Sequence, residues 1–285
     1  MFKILLLKNR KGVAVFILCS IIAGIGVIYA VHKNTNYQPS SFVPEVAKKP
    51  KNITALVLPH HTIASGLVDE FLRMVTFVNI KHVLIIGPNH QEVGSAAFLL
   101  ADEPWGTGEE KNIPTDKKLV SSIVSGYSYA RVDTPSVIHD HASYGMLPYI
   151  RRFIPDVDVT AILISRNADK ALLLSFADRL SKLISRDDTL VIASVDFSHT
   201  VPEEVGRSQD TETIRMMTNR DYDGLLTKHG DQVDSPGSLI ILDRLMANFG
   251  QKPFTLFTRS SSAMIAGDPT MPETVSYVLG YYKKE

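Results

Sequence analysis

The chain has 285 residues, with 30 basic and 30 acidic side chains, 45% hydrophobic and 21% charged residues. These are ordinary globular values, and they exclude a disordered tail, a collagen-like chain and a strongly basic nucleic-acid binder. A single cysteine excludes a disulfide framework and a zinc site built from several thiolates.

Charge is unevenly placed along the chain. Residues 1–34 carry five basic side chains (Lys3, Lys8, Arg10, Lys11, Lys33) and no acidic one, leaving 25 basic against 30 acidic in the rest. A mildly acidic body has no electrostatic reason to approach nucleic-acid phosphates, so no nucleic-acid partner is expected. Val13 to Val31 is an uncharged run of 19 residues behind a basic flank. A helix of that length matches the hydrocarbon core, and the flanking charges predict a cytoplasmic N-terminus. Residues 1–12 thus read as a basic cytoplasmic segment and 13–31 as a single-pass anchor. The polar, proline-containing stretch 32–52 reads as a tether, and residues 53–285 as one extracytoplasmic domain. A cleaved signal peptide competes with the anchor, but the run is long for one and Ile28-Tyr29-Ala30 is a poor small-x-small site.

In the body, short apolar runs alternate with helical patterns. Ile53–Leu58, Val83–Ile86, Ala161–Ile164 and Thr189–Ala193 read as strands, as do Phe254–Phe257 and Val275–Leu279. Leu67, Phe71, Leu72 and Val75 share one helical face. So do Leu172, Leu173, Phe176, Leu180 and Leu183, and later Leu239, Ile240, Leu242, Leu245 and Met246. The pattern predicts an α/β fold, a single three-layer domain with a mostly internal sheet. There is no P-loop, no G-x-S-x-G and no dinucleotide fingerprint in the body.

Histidines gather where strands end. His60 and His61 follow the strand ending at Leu58-Pro59, and His90 closes Gly87-Pro88-Asn89-His90. His139 and His141 bracket Asp140, and His199 closes Ser194-Val195-Asp196-Phe197-Ser198-His199. Imidazoles delivered from separate strand ends can meet in one pocket and there bind metal or carry protons. Asp196 is either a ligand or the carboxylate that orients His199. His82 and His229 read as solvated loop residues, and His61 as either a packing residue or a support behind the groups that line the pocket.

These motifs together resemble the Memo family: Pro59-His60, Gly87-Pro88-Asn89-His90, Asp140-His141 with Leu147-Pro148-Tyr149, and the segment Ser194 to His199. Trp105 with Pro114 and Asp116, Gly267-Asp268 and Val275-Ser276-Tyr277 fit as well, so the resemblance spans roughly Thr54 to Tyr282. The family is similar in fold to the class III extradiol dioxygenases, which use non-haem iron. The resemblance implies a metal pocket containing His60, His90, Asp196 and His199, with His141 nearby.

Three departures stand out. His61 to Gly66 differs from the family's tyrosine-containing segment, and Tyr144 stands where a glutamate is usual. The family's Cys-Gly before a late helix is here Pro236-Gly237, so the resemblance implies a missing thiolate ligand, with Asp234 or Ser235 as the substitute and a Ser hydroxyl the poorer ligand. The resulting expectation is a metal site of His60, His90 and Asp234, with His199, Asp196 and His141 as catalytic groups. Iron is the expected divalent ion, and zinc or copper would also fit. The function reads as a dioxygenase-like oxidoreductase. A metal-dependent hydrolase and a non-catalytic module for a small molecule or peptide are the alternatives.

Overall fold

The computed structural model describes residues 50–106 and 112–284. The expected anchor, the basic segment and nearly all of the tether therefore lie outside the described residues. Among the described residues no helix is long and apolar enough to cross a membrane.

Nine strands form one mixed sheet: β1 (Ile53–Leu58), β2 (His82–Pro88), β3 (Phe98–Leu100), β4 (Ala130–Val132), β5 (Asp158–Ile164), β6 (Thr189–Ser194), β7 (His199–Val201), β8 (Thr255–Ser261) and β9 (Thr274–Lys283). Their order is β4-β3-β5-β2-β6-β1-β9-β7, with β8 also paired to β9. The four central strands, β5, β2, β6 and β1, run parallel, while β9 and β3 are antiparallel to β1 and β5 at the two margins. Strands such as ITALVL and TLVIAS are buried at every residue, as expected where helices cover both faces of a parallel sheet.

The main core lies on one face. Ala55 and Val57 of β1, Leu84 and Ile86 of β2, Ile162 and Ile164 of β5, and Val191 and Ala193 of β6 join it. The alternate residues, among them Leu56, Leu58, Ile85 and Ala161, are equally buried against the other face. Two helices dominate the main core: α6 (Lys170–Leu183) and α9 (Pro236–Asn248). In α6, Leu173, Phe176, Ala177 and Leu180 recur at helical spacing, and Phe176 stacks on Phe98 at 3.8 Å. The Asp169 carboxylate caps α6 by accepting from the Leu172 N–H. Asp169→Ala is expected to cost about 1 kcal/mol, read as a lowered denaturation midpoint with an unchanged denaturant slope.

The strands and helices expected within residues 53–285 are present, most with moved ends. The strand expected at Phe254–Phe257 begins at Thr255 and runs on to Ser261. In α1 (Ser65–Met74) the buried face is Val68, Phe71 and Leu72 rather than one built on Leu67. His82 is no solvated loop residue: it opens β2, half-buried, and pairs with Asp158 at 2.7 Å. Two of the longer helices lie outside the expectations, α2 (Lys117–Gly126) and α7 (Glu203–Asn219). In α7 the reason is plain. Its buried face is Gly206, Asp210, Thr213, Met216 and Met217, largely polar, so no hydrophobic period marks it.

Candidate metal centre

The parallel strands β2, β6 and β1 are neighbours and end at one edge of the sheet. Each delivers a polar side chain two residues past its last strand residue: His60 after Leu58, His90 after Pro88 and Asp196 after Ser194. Adjacent strands lie ~4.8 Å apart, so equal overhangs bring the three together. They line a cavity of ≈ 840 Å³, into which His61, His141, His199, Asp234 and Pro236 also face.

His60 is buried and held at both ends. Its backbone N–H donates to Asp196 Oδ1 at 3.1 Å, and its Nδ1 lies 3.2 Å from Ser194 Oγ. The other ring nitrogen, Nε2, is 3.2 Å from Asp234 Oδ2 and 3.5 Å from Asp196 Oδ2. Burial alone pushes its pKa down. The hydrogen bond to Asp234, the charges of Asp234 and Asp196, and the contact with Ser194 more than offset this and raise it to about 9. Burial pushes the Asp196 carboxyl up in turn, against the pull of His60.

His90 is governed by Asp140. Asp140 Oδ1 accepts from His90 Nδ1 at 2.8 Å and from the Ala142 N–H at 2.9 Å, while Oδ2 accepts from the His90 backbone N–H at 3.1 Å. Burial would raise the Asp140 pKa, but the His90 ring and the two backbone donors hold it below the usual carboxylate range. Because Nδ1 donates to Asp140, His90 presents Nε2, 3.8 Å from Asp234 Oδ2.

The same Asp140 is the N-cap of α4 (His141–Tyr144), which carries His141. That short helix sits directly on β2: a Cβ at Gly87 would lie 2.7 Å from Ala142 Cβ and 3.3 Å from Ser194 O. Gly87→Ala is expected to cost about 1–3 kcal/mol by overpacking. Because α4 must shift, it should also perturb the His141 ring resonances, and unchanged resonances would contradict the packing. The His141 ring stacks on His90 at 3.7 Å and meets His60 edge-on at 4.8 Å. Burial, and then the charges of His90 and His60, push its pKa down to about 4, leaving a neutral imidazole.

Asp234 precedes α9 and is tied to the β6 loop in both directions. Its N–H donates to Asp196 O, and its Oδ2 accepts from the Asp196 N–H, both at 3.2 Å. Its Oδ1 is buried without a hydrogen-bond partner among the described residues. Pro236 is the first residue of α9 and lines the cavity.

His199 differs from the expectation in its surroundings. It opens β7, pairs with Val275 of β9, and is followed by Thr200 at φ 54, a bulge that interrupts the register. Its Nδ1 is buried without a hydrogen-bond partner among the described residues. The Asp196 carboxylate is directed to His60 and His61, and no hydrogen bond joins it to His199 among the described residues. His61 packs, as expected, on Tyr277, whose hydroxyl lies 3.2 Å from its Nδ1.

Two structural groups were missed in the sequence. Asp140, bracketed by histidines, carried the signal of an N-cap but not that of a partner for His90. Ser198 is bonded through its Oγ to Asp210, which pairs with Arg259, a network fixed by residues far apart in sequence.

The donor set suits a divalent cation. Among the described residues, His60, Asp196 and Asp234, and also His60, His90 and His141, each offer ligand atoms within 4.8 Å of one another. Two carboxylates converge on one imidazole nitrogen, and an orphaned buried carboxylate oxygen stands beside them. A third group, His82, Asp116 and Asp158, involves the residues that open β2 and β5.

Comparison with known proteins places the chain. Among curated relatives, a MEMO1 family protein of Thermotoga neapolitana is 25% identical over 248 residues, covering 84% of this chain and 86% of the relative. A MEMO1 family protein of Saccharolobus islandicus, YG5714_2180, is 26% identical over 245 residues, covering 82% and 83%. In fold the chain is similar to the uncharacterized protein JW3007 of Escherichia coli K12. That match has a TM-score of 0.52 and 13% identity over 79% of this chain and 99% of the other. Residues 27–280 match the family profile described as Memo-like protein, and the chain belongs to the Memo family.

Proposed function

We propose that His60, His90 and Asp234 hold a divalent metal ion, iron being best suited, and that the chain is a metal-dependent oxidoreductase of dioxygenase type acting on a small hydroxylated molecule. One observation carries the reading. Asp234 Oδ2 lies 3.2 Å from His60 Nε2 and 3.8 Å from His90 Nε2. Ligand atoms each ~2.1 Å from one ion lie ~3 Å from each other at a right angle, so little movement is needed. Two imidazoles and one carboxylate suit Fe(II), and zinc or copper is the alternative.

A bound divalent ion would supply Lewis acidity and, as iron, access to oxygen chemistry. The chain's own residues do the rest. Asp140 locks the His90 tautomer so that Nε2 faces the cavity. Asp196 fixes the His60 backbone. His199, whose side chain lines the cavity, takes or returns the proton of a substrate hydroxyl.

Elemental analysis of protein purified without oxygen tests this. We expect about one metal ion per chain, lost in both His60→Ala and His90→Ala. Variants that retain the metal would sink the assignment. Pro236 at the family's cysteine position favours a second reading, a module that binds metal and a small molecule or peptide without turnover. Metal retention with no oxygen uptake across hydroxylated aromatic compounds would favour that module. A metal-dependent hydrolase would use the same residues and would be recognised by zinc in place of iron.

We propose also that Val13–Val31 anchors the domain at the outer face of the cell membrane. The basic flank Lys8, Arg10 and Lys11 supports this topology. A reporter fused after Glu285 is expected to be active only outside the cytoplasm, and cytoplasmic activity would overturn it.

A further inference from the structure

We infer that His141 is a direct ligand of the same metal, so that this chain replaces the missing thiolate with a third imidazole as well as Asp234. The inference rests on the metal reading above and extends its ligand set.

His141 is built into position rather than left at the surface by chance. Asp140 caps the helix that carries it and, through the same oxygen, holds the His90 ring. Gly87 lets that helix approach β2 closer than any side chain would allow. The result is a cluster of three imidazoles, with ring centroids 3.7 Å apart for His90 and His141, 4.8 Å for His60 and His141, and 5.0 Å for His60 and His90. One nitrogen of each lies within 4.8 Å of the others. His60 and His90 each spend a ring nitrogen on Ser194 or Asp140 and turn the other to the cavity. The His141 ring makes no hydrogen bond among the described residues and lines the cavity, so either nitrogen is open to a ligand.

His139 provides the contrast. Both rings are exposed, but the His139 Nδ1 donates to the Pro135 carbonyl one turn back and His139 does not line the cavity. A solvated surface imidazole behaves in that way.

A set of three imidazoles and a carboxylate favours Co(II), Zn(II) and Fe(II), and lacks the soft donor that Cu(I) selects. The test is a Co(II) titration of the full chain in detergent, stripped of metal, followed through the visible absorption bands that report coordination. Loss of an outer-shell partner costs roughly 10- to 100-fold in affinity. His141→Ala is expected to cost at least that and to shift the bands, since a ligand is lost, whereas His139→Ala should do neither. His141→Asp should recover binding with a third band pattern, because it returns a donor on the same short helix.

If His141→Ala leaves affinity and bands unchanged while His60→Ala loses Co(II), His141 is no ligand and the two-histidine site stands. If His60→Ala also leaves Co(II) binding intact, the metal reading itself is overturned.

Discussion

Asp234→Asn is expected to weaken divalent-metal binding at least ~100-fold while leaving the fold intact, more than the loss of an outer-shell partner would cost. Asparagine has nearly the same shape. Its side-chain oxygen can still accept from the Asp196 N–H, the bond that ties the two loops, and its backbone N–H still donates to Asp196 O. What it loses is the charge facing His60 and His90. A titration against a competing chelator, paired with thermal unfolding of the metal-free protein, separates the two effects. Unchanged affinity would remove Asp234 from the ligand set.

The second large effect is on the metal-free protein and depends on pH. His60 is raised from 6.5 to about 9 because two carboxylates face it in a buried site. A group whose folded pKa lies above its unfolded value stabilises the fold fully below the unfolded pKa. That stabilisation is lost as pH rises through the folded pKa. The metal-free domain should therefore be most helped below pH ~6.5 and lose on the order of 3 kcal/mol as pH climbs past ~9. In His60→Gln that decline should flatten. A metal-free protein whose stability holds level from neutral pH to 10 would contradict the arrangement of Asp196 and Asp234 around His60.

The sequence made the central strands and the two core helices legible because their apolar residues recur at the periods that strands and helices impose. The histidines after β1 and β2 were legible for the same reason: a strand's end fixes where the next side chain emerges. The hydrogen bond from His60 to Asp196 was not. His199 is the nearer histidine in sequence, and it is the parallel register of β1 and β6 that brings His60 against Asp196. Register between strands more than a hundred residues apart leaves no local trace. The polar face of α7 hid that helix in the same way, since Asp210 is buried against Arg259 and Ser198 of other elements and Thr213 against the Gln209 carbonyl one turn back. Asp234 was legible only through the family's missing cysteine, and its reciprocal bonds with Asp196 explain why that position can face the site.

Anomalous X-ray diffraction from crystals of metal-loaded protein, collected on both sides of the metal's absorption edge, tests the central claim most directly. The account predicts one strong peak bounded by His60 Nε2, His90 Nε2 and Asp234. No peak in that cavity, or a peak only at His82, Asp116 and Asp158 on β2, the start of α2 (Lys117–Gly126) and β5, would contradict it.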